Sequence, residues 1–329
     1  MFGSTPHGWA RVRVWFLALG TLILSTARVV AGGVPPERAA LFDYDATRPL
    51  DLKERAVRRQ GAVEEHDVSF ASPKGGRVTA FLLVPRGKGP FAGILFLHGA
   101  TGTRRSLLPG ARMLCEAGAV CLLIDAPLRG GRAVPGKRLD DFAHPEEMRD
   151  AIIQAVVDLR RGVDLLLSRP DVDPKRIAFV GSSLGGSVGG ILAGVERRIA
   201  AYALLEASGN WMEAFRKSTF LLVRLARATM SRRQMERAAR VLGPIDPVHF
   251  VAHAAPAALL FQNGTGDTIV PAECAQAFQD AGSQPKVCKW YDAGHELNID
   301  AFVDRAEWLR EKIGIGPVPR PQSNKGLNH

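Results

Sequence analysis

Two periods of apolar positions run through the chain. From residue 63 onward, short apolar or alternating blocks mark strands, and between them apolar residues recur every three to four positions, the mark of helices. Strands are expected at 63–70 and 77–84, joined by the hairpin connection Ser72-Pro73-Lys74-Gly75-Gly76. The unbroken run at 94–97 reads as a strand covered on both faces. Further strands are expected at 120–124, 177–180, 201–205, 257–262 and 287–291. Helices are expected at 146–168, 184–195, 272–280 and 299–313.

A hairpin followed by alternating strands and helices calls for an α/β fold, a mostly parallel eight-stranded sheet flanked by helices. Residues 208–242 break the alternation with helical pattern and no strand, so they read as a helical cap inserted into a domain at 63–313. Residues 32–62 are rich in proline and charge and read as an extension draped over that domain. The Pro-rich polar stretch 314–329 reads as a disordered tail.

Residues 1–31 read as a processing segment. Arg11 and Arg13 form a basic start, residues 14–24 carry the apolar run, and small residues follow at Ser25-Thr26-Ala27 and Val29-Val30-Ala31. The stretch between Arg13 and Arg28 falls short of the roughly 20 residues that span a bilayer. A cleaved secretory signal is therefore expected, ahead of an uncleaved anchor or a buried N-terminal helix, with a periplasmic or secreted location.

Composition changes the picture in two places. With 46% hydrophobic and 23% charged residues, the 329-residue chain is neither low-complexity nor disordered, and it can bury a large core. Its net charge is +10, of which three arginines lie in the segment at 1–31. Eight basic residues against two acids fall between Met212 and Leu242, so the basicity is local and nucleic-acid binding is not indicated. That patch has two readings: a solvated arginine face, or one that recruits an anionic substrate or an anionic membrane surface.

The sharpest chemical signal is Gly181-Ser182-Ser183-Leu184-Gly185-Gly186, a G-x-S-x-G placed after a β-branched strand and before a helix. A sharp strand-to-helix turn strains the backbone at the nucleophile, Ser183, and Gly181 and Gly185 leave room for it. The helix also carries Gly189 and Gly190. Each glycine costs about 1 kcal/mol against alanine, which close packing on the sheet must offset.

A nucleophilic serine needs a base, an orienting acid and an oxyanion hole. His295 follows Trp290-Tyr291-Asp292-Ala293-Gly294 in a loop leaving the last strand and is the expected base. His249 and His253 read as structural, and His66 lies in the first hairpin. Asp267, in Asn263-Gly264-Thr265-Gly266-Asp267 beyond the preceding strand, is the expected acid, with Glu206 as runner-up. The chain order Ser183, Asp267, His295 is the one G-x-S-x-G enzymes use. In Phe96-Leu97-His98-Gly99-Ala100-Thr101-Gly102, the Ala100 N–H is expected to share an oxyanion with the Leu184 N–H. His98 and Gly99 support that loop, and Asp125 reads as structural.

Together these motifs resemble the α/β-hydrolase superfamily. Within it, Ser168-Arg169-Pro170-Asp171-Val172-Asp173-Pro174-Lys175-Arg176-Ile177 resembles the dienelactone-hydrolase-like and prolyl-oligopeptidase-like serine esterases. The resemblance runs over about 63–313. Dienelactone hydrolases proper place a cysteine where this chain has Ser183, and prolyl oligopeptidases carry a propeller for which there is no sequence here. The implied activity is a serine hydrolase, a carboxylesterase acting on small or medium acyl esters without a cofactor or metal. A peptidase, thioesterase or acyltransferase would use the same machinery, and a silent binding protein the same fold. Of the four cysteines, at most one bridge is expected, Cys274–Cys288.

Overall fold

The computed structural model describes residues 1–3, 32–323 and 327. The expected signal segment therefore lies, from residue 4 to 31, outside the described residues. Nine strands form one sheet: β1 (Lys53–Gln60), β2 (Val63–Ala71), β3 (Arg77–Pro85), β4 (Phe91–Leu97), β5 (Ala119–Ile124), β6 (Val172–Ser182), β7 (Ala201–Leu205), β8 (Ala258–Gly264) and β9 (Lys286–Tyr291). Their order across the sheet is β1-β2-β3-β5-β4-β6-β7-β8-β9. The first three strands pair antiparallel, β3 meets β5 antiparallel, and every later pairing is parallel.

Among the described residues there are ten α-helices, besides short 3-10 turns: α1 (Pro36–Ala39), α2 (Leu108–Glu116), α3 (Pro145–Leu167), α4 (Leu184–Val195), α5 (Trp211–Lys217), α6 (Leu221–Ala228), α7 (Arg232–Leu242), α8 (Val248–Val251), α9 (Ala272–Ala281) and α10 (Ile299–Ile313). Successive residues of the central strands feed opposite faces of the sheet. Leu95 and Leu97 of β4 pack into a core shared with Val156 of α3, Ile191 of α4 and Phe278 of α9. Ile94 and Phe96 pack on the other side with Leu114 of α2 and Phe302 of α10. Because both faces are covered, these strands read as continuous apolar runs.

Three differences from the sequence reading have physical causes. The sheet has nine strands because β1, within the supposed extension, pairs along β2. All eight of its residues are exposed, so it has no apolar face to betray it. Charged residues on an outermost strand discourage further edge pairing. Ahead of β1, Phe42 is fully buried and meets Phe250 edge-on at 5.5 Å. Next, the tail does not start free. Ile315 and Leu327 are buried, and Arg176 donates to the Gly314 carbonyl at 2.6 Å. Finally, the expected Cys274–Cys288 bridge is absent, and all four cysteines are free thiols. Cys274 faces the core from the first turn of α9, whereas Cys288 is exposed on the edge strand β9.

Candidate active site

Strand register sets the site. Leu97 of β4 lies beside Gly181 of β6, Ser182 beside Leu205 of β7, and Leu205 beside Gln262 of β8. The parallel strands therefore end level, and the loops after β4, β6, β8 and β9 emerge at one carboxyl-terminal edge, where open α/β sheets bind their ligands.

Ser183 sits between β6 and α4 at φ 53°, ψ −120°, in left-handed backbone that costs a non-glycine residue about 1–3 kcal/mol. Its N–H is fixed to the Leu205 carbonyl at 2.8 Å. Gly185 is required by close approach, since a Cβ there would collide with the Leu97 and His98 carbonyl oxygens. A Cβ on Gly189 or Gly190 would strike the rings of Phe179 or Phe278. Tight packing of α4 thus offsets its poor helix propensity.

His295 Nε2 lies 2.9 Å from Ser183 Oγ, and His295 Nδ1 lies 2.7 Å from Asp267 Oδ2. The other Asp267 oxygen accepts from the Ile269 and Val270 N–H groups at 2.8 and 3.0 Å. Two backbone bonds stitch the loops together: Thr265 N–H to the Tyr291 carbonyl and Gly266 N–H to the Ala293 carbonyl, both 2.9 Å. A Cβ on Gly264 would run into the Ala293 and Gly294 carbonyls, so this glycine lets the loops touch. The acid and imidazole are held by backbone as well as by their own contact.

Gly99 and Ala100 line the same cavity as Ser183 and His295, and a Cβ on Gly99 would lie 3.2 Å from Ser183 Cβ. Leu184 opens α4, where the first N–H groups lack helical partners. His98 is turned to another task. Nδ1 donates to the Gly99 carbonyl at 2.7 Å, and Nε2 accepts from Ala126 N–H at 3.1 Å. Burial pulls its pKa below the ordinary imidazole value, which suits a neutral ring bracing the β4 loop against the β5 loop. Asp125 likewise accepts from Thr79 Oγ1 and from the Arg104 and Gly131 N–H groups at 2.6–3.0 Å.

Glu206, the residue after β7, is fully buried and points at Ser182, whose hydroxyl donates to Oε2 at 3.1 Å. Desolvation pushes this carboxyl well above the usual carboxylate range, and the Arg305 charge only partly offsets that.

The cap is tied to the site by features that carry no sequence motif. Asp246 accepts from the Asn210 and Trp211 N–H groups, both at 2.8 Å, and so holds the start of α5. The Thr268 carbonyl, one residue past Asp267, accepts from the Thr219 and Phe220 N–H groups at 3.1 and 2.9 Å. Between cap and sheet edge lies a cavity of about 720 Å³, reaching Ser183 and His295. Among the described residues no group of three or more His, Cys, Asp or Glu side chains is arranged to hold a metal ion.

Half of the eight basic residues of this stretch are ion-paired. Arg216 and Lys217 pair with Glu213, Lys217 also with Glu273, Arg232 with Glu236 and Arg237 with Glu146. Arg227 is used internally, donating to the Phe215 and Ser218 carbonyls.

No curated protein matches the sequence. Among solved structures, the acetyl xylan esterase from Paenibacillus sp. R4 superposes with TM-score 0.69 at 22% identity, covering 84% of this chain and 92% of that one. Acetyl xylan esterase 1 from Thermoanaerobacterium sp. JW/SL YS485 gives 0.71 at 18% identity, with 85% and 94% covered. The 2,6-dihydroxy-pseudo-oxynicotine hydrolase gives 0.58 at 18%, with 82% and 70% covered. These likenesses establish the α/β-hydrolase fold. The acetyl xylan esterase (AXE1) pattern matches residues 44–312. That span takes in the elbow, both stitched loops and the cap, and the chain belongs to the acetyl xylan esterase (AXE1) family of carboxylic ester hydrolases.

Proposed function

We propose that the chain is an exported serine carboxylesterase that cleaves small or medium acyl esters through an acyl-enzyme intermediate. Ser183 Oγ attacks the ester carbonyl while His295 Nε2 takes its proton. Asp267 holds the Nδ1–H and offsets the imidazolium charge. The Ala100 and Leu184 N–H groups receive the oxyanion. His295 then returns the proton to the departing alcohol. A water molecule, deprotonated by the same imidazole, releases the acid and restores Ser183. The scheme needs only protein groups and water. The family name adds acetate as an acyl group to test first.

The observation that supports this reading is the relay from Ser183 Oγ to His295 to Asp267, with links of 2.9 and 2.7 Å. Labelling by a fluorophosphonate probe should be complete in the parent protein and absent in Ser183→Ala. That variant should lose turnover of p-nitrophenyl acetate by several orders of magnitude, with a residue above background from the oxyanion site. Near-parent turnover in Ser183→Ala would sink the assignment. Export rests on the basic start and apolar run of residues 1–31. Its test is the mass of the protein recovered outside the cytoplasm, which should lack that segment.

A further inference from the structure

The cavity above Ser183 is far larger than an acetyl group requires. At about 720 Å³ it falls within the roughly 300–1,000 Å³ of pockets that enclose a whole small-molecule ligand. Its wall away from the sheet is apolar. Phe142, from the loop after β5, stacks on Phe215 of α5 with centroids 4.3 Å apart and planes 20° apart. Phe220, Val223 and Met230 continue that wall along the cap.

The polar groups lining the cavity are mostly engaged with the protein itself. Thr229 Oγ1 donates to the Ala226 carbonyl at 2.7 Å, and Ser106 Oγ accepts from Thr103 N–H at 3.1 Å. Arg138 is matched by Asp140 through two bonds of 3.1 and 3.0 Å. Asp141 accepts from Ala143 N–H and contacts the His144 ring. A carbohydrate chain carries a hydroxyl on nearly every carbon. Hydroxyls pressed against the Phe142, Phe215, Phe220, Val223 and Met230 wall itself would lose water and meet no partner there. An apolar group loses nothing there and gains burial.

Resting on the esterase reading above, we propose that this cavity takes the apolar half of a neutral ester, an aryl or alkyl group of about six to ten carbons. The cap wall around the Phe142–Phe215 pair then sets specificity.

The test uses the full enzyme and two series. One varies the acyl chain of p-nitrophenyl esters from acetyl to octanoyl. The other keeps acetate and varies the alcohol from methyl through hexyl to naphthyl, with an acetylated xylo-oligosaccharide alongside. Each fully buried methylene is worth up to about fourfold. With the partial burial of an open cavity, kcat/KM should rise about 10-fold or more between the two-carbon and six-carbon members of at least one series. Val223 is on α6 and Met230 in the turn between α6 and α7, both half-buried at the cavity rather than in the core, so the fold tolerates Val223→Asn and Met230→Gln. Each should shrink the ratio of long to short ester about fivefold, half of it or more through KM. Decline with length in both series, with the xylo-oligosaccharide the best substrate, would overturn the proposal while leaving the esterase reading intact. Failure of every ester together with failure of Ser183 labelling would instead remove the esterase reading itself.

Discussion

Ser182 donates its hydroxyl to Glu206 at 3.1 Å, which sets a fully buried carboxyl directly behind the residue that precedes Ser183. Two acids therefore flank the elbow with different partners. Asp267 faces the His295 ring and is fed by two backbone N–H groups. Glu206, at φ 47°, is bonded instead by Ser182 of β6, and its Oε1 has no hydrogen-bond partner among the described residues. Proximity to the serine does not make an orienting acid. Contact with imidazole Nδ1 does.

That difference ranks two substitutions. In Asp267→Asn the retained oxygen still accepts from Ile269 and Val270, so the amide NH₂ faces His295 Nδ1. The ring must then turn its proton toward Ser183 and cannot accept one. Turnover of p-nitrophenyl acetate should fall about 10³-fold or more. Glu206→Gln should keep turnover within about threefold, because no proton in the scheme passes through it. The reverse order in steady-state kcat would move the acid to the end of β7.

Glu206 also predicts a pH dependence of stability. Its carboxyl is held well above the ordinary range by burial, so folding favours its protonated form. The contribution is fully present below the unfolded value near 4.5 and is lost as pH rises through the folded value. Thermal melts of parent and Glu206→Gln should nearly coincide at pH 4, and the glutamine variant should gain on the parent toward pH 8. If Glu206 were ionised against Arg305, removing the charge would instead cost about 3–5 kcal/mol at neutral pH. A variant that melts far below the parent at pH 8 decides for the ion pair.

What the sequence makes legible follows from which residues must pack. Helices α4 and α10 and strand β7 have the bounds that apolar periodicity assigns them, because the helices press apolar faces on the sheet and β7 is buried along its whole length within it. The elbow is legible because G-x-S-x-G has meaning only between a strand and a helix. Strand β1 is not legible, since an outermost strand exposed on both faces needs only a ladder to β2. Nor is the Phe142–Phe215 contact. Phe142 stands alone in a polar loop, and its partner lies in a cap whose fold depends on Asp246 and the Thr268 carbonyl. Backbone carbonyls and single acids leave no periodic trace.

Thiol chemistry offers a third check. Cys115, Cys121 and Cys274 are buried, and burial pushes the Cys115 thiol up to about 12 and that of Cys274 to about 11. Cys288 is exposed, with a thiol raised more modestly by its surroundings. Thiolate is the reactive form. Under native conditions at pH 8, iodoacetamide should modify Cys288 first and slowly, with the other three reacting only in denaturant. Peptide mapping that recovers a Cys274–Cys288 or Cys115–Cys121 disulfide from the unreduced protein would contradict this.

The cap supplies the last prediction, about charge. Steering of an anionic ester by the whole basic stretch would make kcat/KM fall steeply with salt. The ion pairs leave less to work with. Among the described residues, Arg224, Arg233 and Arg240 make no ion pair, while Arg232 and Arg237 are held by Glu236 and Glu146. Exposed pairs contribute little net field beyond a Debye length, about 10 Å at 0.1 M salt. The anionic ester should therefore lose only about two- to threefold in kcat/KM between 20 and 500 mM salt, and a neutral ester of equal size should lose less. Arg224→Gln with Arg233→Gln should flatten that slope more than Arg232→Gln with Arg237→Gln. On its outer side α6 also exposes Leu221 and Leu225 at 60% and 55%, beside Arg224, whereas the exposed Leu222 lines the cavity. An anionic membrane surface would engage these leucines together with the free arginines. Sedimentation with phosphatidylserine vesicles, lost in Leu221→Asp with Leu225→Asp, would assign the patch to lipid. Flat salt responses for both esters and no vesicle binding would leave a solvated face whose arginines serve the cap's own ion pairs.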